Sequence, residues 1–169
     1  MKKIILTFIL ITTFLSGCSK MQKSPAVTAV TTGLSFNAEI STDDGIYNYS
    51  VKINKNGDTE MESINTDGSA YINYLFAGDN VTYKYGNLEY KTNILALNEN
   101  TAADLIHLVF KNITEEKRPI EYNNEQYYIK GDTKKYKYTV FIGGSGIPLK
   151  ITVENKNITV LIKNAKIIN

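Results

Sequence analysis

The chain has 169 residues, 19 Lys and Arg against 17 Asp and Glu, one His, one Cys, 12 Tyr and no Trp. One cysteine excludes an intrachain disulfide and a cysteine-built metal site. A formal charge of +2, with no basic cluster or aromatic-basic interleaving, excludes a nucleic-acid surface.

Lys2 and Lys3 precede an apolar run from Ile4 to Leu15, broken only by Thr7, Thr12 and Thr13. That run is short of the roughly 20 residues a membrane span needs, and it suits the h-region of a secretory signal. The tetrapeptide Leu15-Ser16-Gly17-Cys18 that follows resembles the bacterial lipobox. The resemblance implies that the Cys18 thiol takes a diacylglyceryl group, that cleavage leaves Cys18 as the first residue, and that palmitate-type chains hold it in the membrane. Each buried CH₂ contributes about 0.8 kcal/mol, so two or more chains make a stable anchor. The expected location is the extracytoplasmic face of the cell membrane, lipid-anchored. Residues 1–17 are then a lipoprotein signal peptide, 18–33 the lipidated cysteine with a flexible tether, and 34–169 a single domain. From Leu34 onward 15 basic groups face 17 acidic ones. Residues 34–104 carry 4 basic against 11 acidic groups and residues 105–169 carry 11 against 6, either as drift on solvated faces or as a polarised surface toward a partner.

Period-2 alternation then dominates. In Leu34–Ile40 the residues Leu34, Phe36, Ala38 and Ile40 share one face, and in 46–53 Tyr47, Tyr49, Val51 and Ile53 do the same. "STDDG" turns between these strands, and "NKNG" at 54–57 is a hairpin signal because Asn and Gly tolerate positive φ. Further strands are expected at 58–64, 70–76, 81–85 and 88–92. Then "NTAADLIHLVFKNI" sets Ala102, Leu105, Ile106, Val109 and Ile113 on one helical stripe. Thr101 and Asp104 form a capping-box pattern, and Pro119 stops the helix from running further. Strands resume at about 120–122, 125–132, 135–142, 148–153 and 158–164. The expected fold is mainly β (α+β): a curved antiparallel sheet, an open half-barrel of about ten or eleven strands wrapped around one central helix, apolar inside and wet outside.

Cys18 with its lipobox, the start "GLSFNAEI", the pair "GDNVTYKYGNLEY" and the close "YKYTVFIGGSGIPLKITVENKNITVLIKN" together resemble the outer-membrane lipoprotein-carrier superfamily, the LolA/LolB-like half-barrel lipoproteins. That resemblance implies an open half-barrel whose concave face takes a hydrophobic ligand. The chain departs from the family in having one helix rather than several. Its only arginine, Arg118, lies in a charged "EEKR" run rather than in a buried position.

Catalytic, metal and cofactor residues are not expected. His107 is read as a surface or rim residue flanking the helical stripe, with no Ser or carboxylate motif to pair with it. Glu60 and Glu62 share a strand face, the solvated one. "NKNGD" and "NTDGS" read as hairpin turns, since the EF-hand spacing is missing. Alternating tyrosines such as Tyr47/Tyr49 and Tyr136/Tyr138 suit either a plain core or the lining of an apolar groove. A single helical stripe cannot cover five or more strands, which favours the groove. Its candidate lining is Phe36, Tyr49, Val51, Met61, Tyr138 and Val140 from strands, with Leu105 and Val109 from the helix. Two functions remain open: a membrane-anchored protein binding a lipid or other hydrophobic ligand, or a non-catalytic adaptor for another envelope protein.

Overall fold

The computed structural model describes residues 32–64, 72–96 and 102–168. The signal segment, Cys18, the tether as far as residue 31, and Thr101 of the expected capping box lie outside the described residues.

Eleven strands form one antiparallel sheet among the described residues. The chain starts in its middle and walks outward through β1 (Leu34–Thr42), β2 (Gly45–Ile53), β3 (Thr59–Ser63), β4 (Ile72–Ala77), β5 (Asn80–Tyr85) and β6 (Leu88–Asn93). A short 3-10 turn (Ile94–Ala96) and the helix α1 (Ala102–Glu116) carry it back beneath the sheet. The chain restarts at the far edge with β7 (Glu121–Asn123) and returns through β8 (Gln126–Asp132), β9 (Lys137–Ile142), β10 (Pro148–Val153) and β11 (Ile158–Ile167). β11 closes on β1, leaving the order β6-β5-β4-β3-β2-β1-β11-β10-β9-β8-β7. With β6 and β7 at opposite edges, the sheet curves but does not close: a mainly β open half-barrel with one helix, as expected. Because neighbours in the chain are neighbours in the sheet, tight turns suffice everywhere except at the crossover that α1 supplies. The acidic and basic halves of the sequence become the two wings of this sheet.

The turn chemistry is local. Asn54 and Asp58 close the β2–β3 hairpin, with an Asn54 N–H to Asp58 O bond of 2.8 Å and Gly57 at φ 85°. α1 ends in a Schellman-type arrangement, with Lys117 at φ 48° and the Arg118 N–H reaching back to the Ile113 carbonyl at 3.4 Å. Pro119 lies just beyond. No helix among the described residues is long and apolar enough to cross a membrane.

α1 is buried more widely than its sequence stripe. Leu105, Ile106, Val109 and Ile113 are inside, but so are Ala103, Asp104, His107 and Phe110. A helix lying within a curved sheet meets strands on more than one side, so residues flanking the stripe are covered too. Phe110 packs against Phe36 of β1 at 6.0 Å between ring centroids.

On the other wing, Tyr138 of β9 lies across Gly131 of β8, its register partner. The Tyr138 hydroxyl then donates to Asn112 Oδ1 of α1 at 2.7 Å. A methyl group at residue 131 would sit 2.2 Å from that hydroxyl oxygen. The ring is buried and held at its tip, so it has nowhere to retreat. Gly131→Ala is expected to destabilise the fold by about 1–3 kcal/mol, the usual range for overpacking. Thermal melting checks this, and an unchanged Tm would show that the ring moves freely.

Candidate ligand-binding face

The strand register sorts the concave side of β1–β6 into cross-strand rows. One row runs Leu34, Ile53, Thr59, Phe76, Val81, Thr92. The next runs Phe36, Val51, Met61, Tyr74, Tyr83, Tyr90. A third joins Ala38, Tyr49 and Ser63, and on the outer strands Ile72, Tyr85 and Leu88. The first row is buried as far as Val81, because α1 lies over it. Along the other two rows burial fades toward the β6 edge. Tyr74 and Tyr83 are half-buried, and Tyr85, Tyr90 and Leu88 are 50%, 66% and 72% exposed. Tyr47, on the same face of β2, is exposed as well.

The rings form a chain across this face. Tyr49 meets Tyr74 edge-on at 6.2 Å, Tyr74 meets Tyr83 at 5.3 Å, and Tyr83 tilts against Tyr90 at 6.3 Å. A branch runs from Tyr74 to Phe76 and on to His107, stacked at 5.0 Å. Burial pushes the Tyr49 and Tyr74 hydroxyls upward in pKa. Burial, with Tyr74 and the Asp104 carboxylate nearby, raises Tyr83 to about 12. These phenols therefore stay protonated, neutral hydrogen-bonding groups on an apolar floor.

Of the eight lining residues expected from sequence, all are buried in one cluster. Phe36, Val51, Met61, Leu105, Val109, Tyr138 and Val140 lie in the packed interior between sheet and helix. Tyr49 stands where that interior gives way to the uncovered tyrosines. The outer residues Ile72, Tyr74, Tyr83, Tyr85, Leu88 and Tyr90 were not singled out in the sequence. Their signal is there in "YKYGNLEYK": Tyr83, Tyr85, Leu88 and Tyr90 alternate with Lys84, Glu89 and Lys91, which marks one apolar face on a hairpin.

A LolA superfamily protein from Nitrosomonas europaea is similar to this chain at a TM-score of 0.44 and 9% sequence identity, covering 81% of this chain and 86% of that one. PNGF-II is similar at a TM-score of 0.27 and 12% identity, covering 81% of this chain and 28% of that one. No protein-family model and no curated protein matches the sequence. The strand pairing of this chain defines its half-barrel independently of both likenesses.

Two polar groups of α1 are carried into the interior and satisfied there. Asp104, fully buried, accepts from the Tyr136 hydroxyl at 2.6 Å and from Lys135 Nζ at 2.8 Å, and Lys135 also reaches the Ile94 carbonyl at 3.1 Å. These bonds tie the start of α1 to the β8–β9 turn. The expectation of a surface or rim His107 is overturned, since the residue is 1% exposed. Its Nε2 lies 2.9 Å from the Gly78 carbonyl, which can only accept, so that nitrogen carries the proton. Nδ1, 3.0 Å from Thr59 Oγ1, is then left to accept from the hydroxyl. Both nitrogens are engaged, and the ring pins α1 to β3 and to the β4–β5 turn. Glu60 and Glu62 are exposed on the convex side, as expected. There they border a groove of about 460 Å³ lined by Lys52, Asn73 and Lys84 together with Met61, Tyr74 and Leu75. Among the described residues no three His, Cys, Asp or Glu side chains come together as metal ligands.

Burial is the main cause that lowers the His107 pKa below 6.5, and the Gly78 hydrogen bond offsets part of it. The unfolded chain therefore takes up the proton first as pH falls, and stability declines below about pH 6.5 until the folded pKa is passed. His107→Gln keeps an amide donor for Gly78 and removes this component. Melting curves from pH 8 to 5 should show the parent losing Tm below about 6.5 more steeply than the variant. Parallel curves would contradict the assignment.

Proposed function

We propose that this chain is a lipid-anchored lipoprotein of the extracytoplasmic membrane face that binds a lipid or other hydrophobic ligand on the concave side of its half-barrel, without catalysis. The observation that carries the ligand reading is the pair of apolar rows that α1 leaves bare, ending in Tyr85, Leu88 and Tyr90. Large side chains exposed together on the inner face of a curved sheet make a concave apolar surface with hydroxyl tips, the chemistry an amphiphile matches. The lipobox pattern Leu15–Cys18 supports the anchor. The buried, fully bonded state of His107 and the pairing of Asp104 support a non-catalytic role, since each holds the helix in place.

An acyl chain burying about eight methylenes gains on the order of 6 kcal/mol, which corresponds to binding at tens of micromolar. In the mature protein, titration with a fluorescent analogue of an uncharged acyl lipid should saturate in that range. Leu88→Ala with Tyr90→Ala should weaken it about tenfold, a loss of about 1.4 kcal/mol. Both residues are exposed, so Tm should hold. Saturable binding that ignores this double change would place the ligand elsewhere, and no binding at all would favour the adaptor alternative. For the anchor, Cys18→Ala should leave the domain unprocessed or free of the membrane. A variant that is cleaved and membrane-bound like the parent would rule the anchor out.

A further inference from the structure

We infer that the concave face selects an uncharged ligand: an apolar chain with a neutral, hydroxyl-bearing head, of the acylglycerol class, in preference to fatty-acid anions or anionic phospholipids. This rests on the hydrophobic-ligand reading above and sharpens it. Among the described residues, the concave rows of β1–β6 contain no charged side chain at all. The charges of the same strands, among them Lys52, Glu60, Glu62, Lys84, Glu89 and Lys91, fall on the opposite face by strict alternation. Such a segregation is more than greasiness, because the concave rows do carry polar groups. Every one of them is a hydroxyl: Tyr, Thr or Ser.

An anionic head brought onto this face would lose hydration and find no cation to replace it. The charge acting on the half-buried Tyr83 from within is the Asp104 carboxylate, which has the wrong sign to attract an anion. Lys135 is turned to that carboxylate at 2.8 Å. His107 offers no cation either, since it is buried against Phe76 and that burial holds its pKa below 6.5. A hydroxyl-bearing head, by contrast, exchanges hydrogen bonds with protonated phenols that can both donate and accept. Discrimination thus arises from what the face refuses to pair, the negative side of specificity.

The absence of tryptophan supplies the readout, because tyrosine emission is unmasked. The mature protein would be titrated at pH 8 with 1-monooleoylglycerol, oleate and oleoyl-lysophosphatidylglycerol, which share one chain, each below its aggregation concentration. The neutral lipid should bind at least about tenfold tighter than either anion. Tyr85→Lys, which places a cation at an exposed position on this face, should narrow that gap by raising oleate affinity several-fold. Equal affinities for all three lipids, or a Tyr85→Lys protein with unchanged preference, would overturn the selectivity while leaving the hydrophobic-ligand reading standing. Binding of none of them would overturn both.

Discussion

Among the described residues, one fifteen-residue helix is laid against the concave side of an eleven-stranded sheet, and most other features follow from that mismatch. An antiparallel sheet with one apolar face needs that face covered. α1 is too short to cover all of it, so it is drawn in until much of its circumference is buried. Asp104, His107 and Asn112 are then carried against the sheet, where an unpaired polar group costs about 1–3 kcal/mol. Each has a partner from a different strand or turn: Lys135 and Tyr136, Thr59 and Gly78, Tyr138. These bonds fix where the helix lies, and so fix which part of the sheet remains bare.

The bare part is dominated by tyrosine rather than by leucine or valine. Under α1 the rows hold Phe36, Val51, Met61 and Phe76, and toward the β6 edge they change to Tyr74, Tyr83, Tyr85 and Tyr90. A tyrosine presents an apolar ring to a ligand and a hydroxyl to water, which makes it the aromatic residue best suited to a surface that is sometimes covered and sometimes wet. The rows thus grade from packed core to an exposed apolar surface without a break. That grading is why the same sequence pattern fits both a core and a groove.

The fold was legible because alternation and turn chemistry are local. Leu34–Ile40, the "NKNG" hairpin and the stripe from Leu105 to Ile113 each declare their element without knowledge of the rest. The outer part of the candidate face carries the same signal, since period 2 puts Tyr83 and Tyr85, and Leu88 and Tyr90, on one face, yet the expected lining named only the deeper residues. What alternation cannot show is how far α1 reaches. The deep lining of Phe36, Val51 and Met61 and the outer tyrosines look alike in sequence, and only the helix position separates the packed residues from the exposed ones. His107 was misplaced for the same reason. Its burial depends on strands β3–β5 rising beside the helix, a consequence of sheet curvature that no spacing within the helix records.

Whether the bare rows are the ligand surface is tested most directly by covalent footprinting of the mature protein with hydroxyl radicals, with and without 1-monooleoylglycerol. Tyr85, Leu88 and Tyr90 should be modified readily in the free protein and protected when the lipid is bound, while Tyr122, exposed on the opposite edge strand, should react equally in both. Protection of Tyr122 with no change at Tyr85, Leu88 and Tyr90, or an unreactive patch in the free protein, would contradict the placement of the ligand on this face.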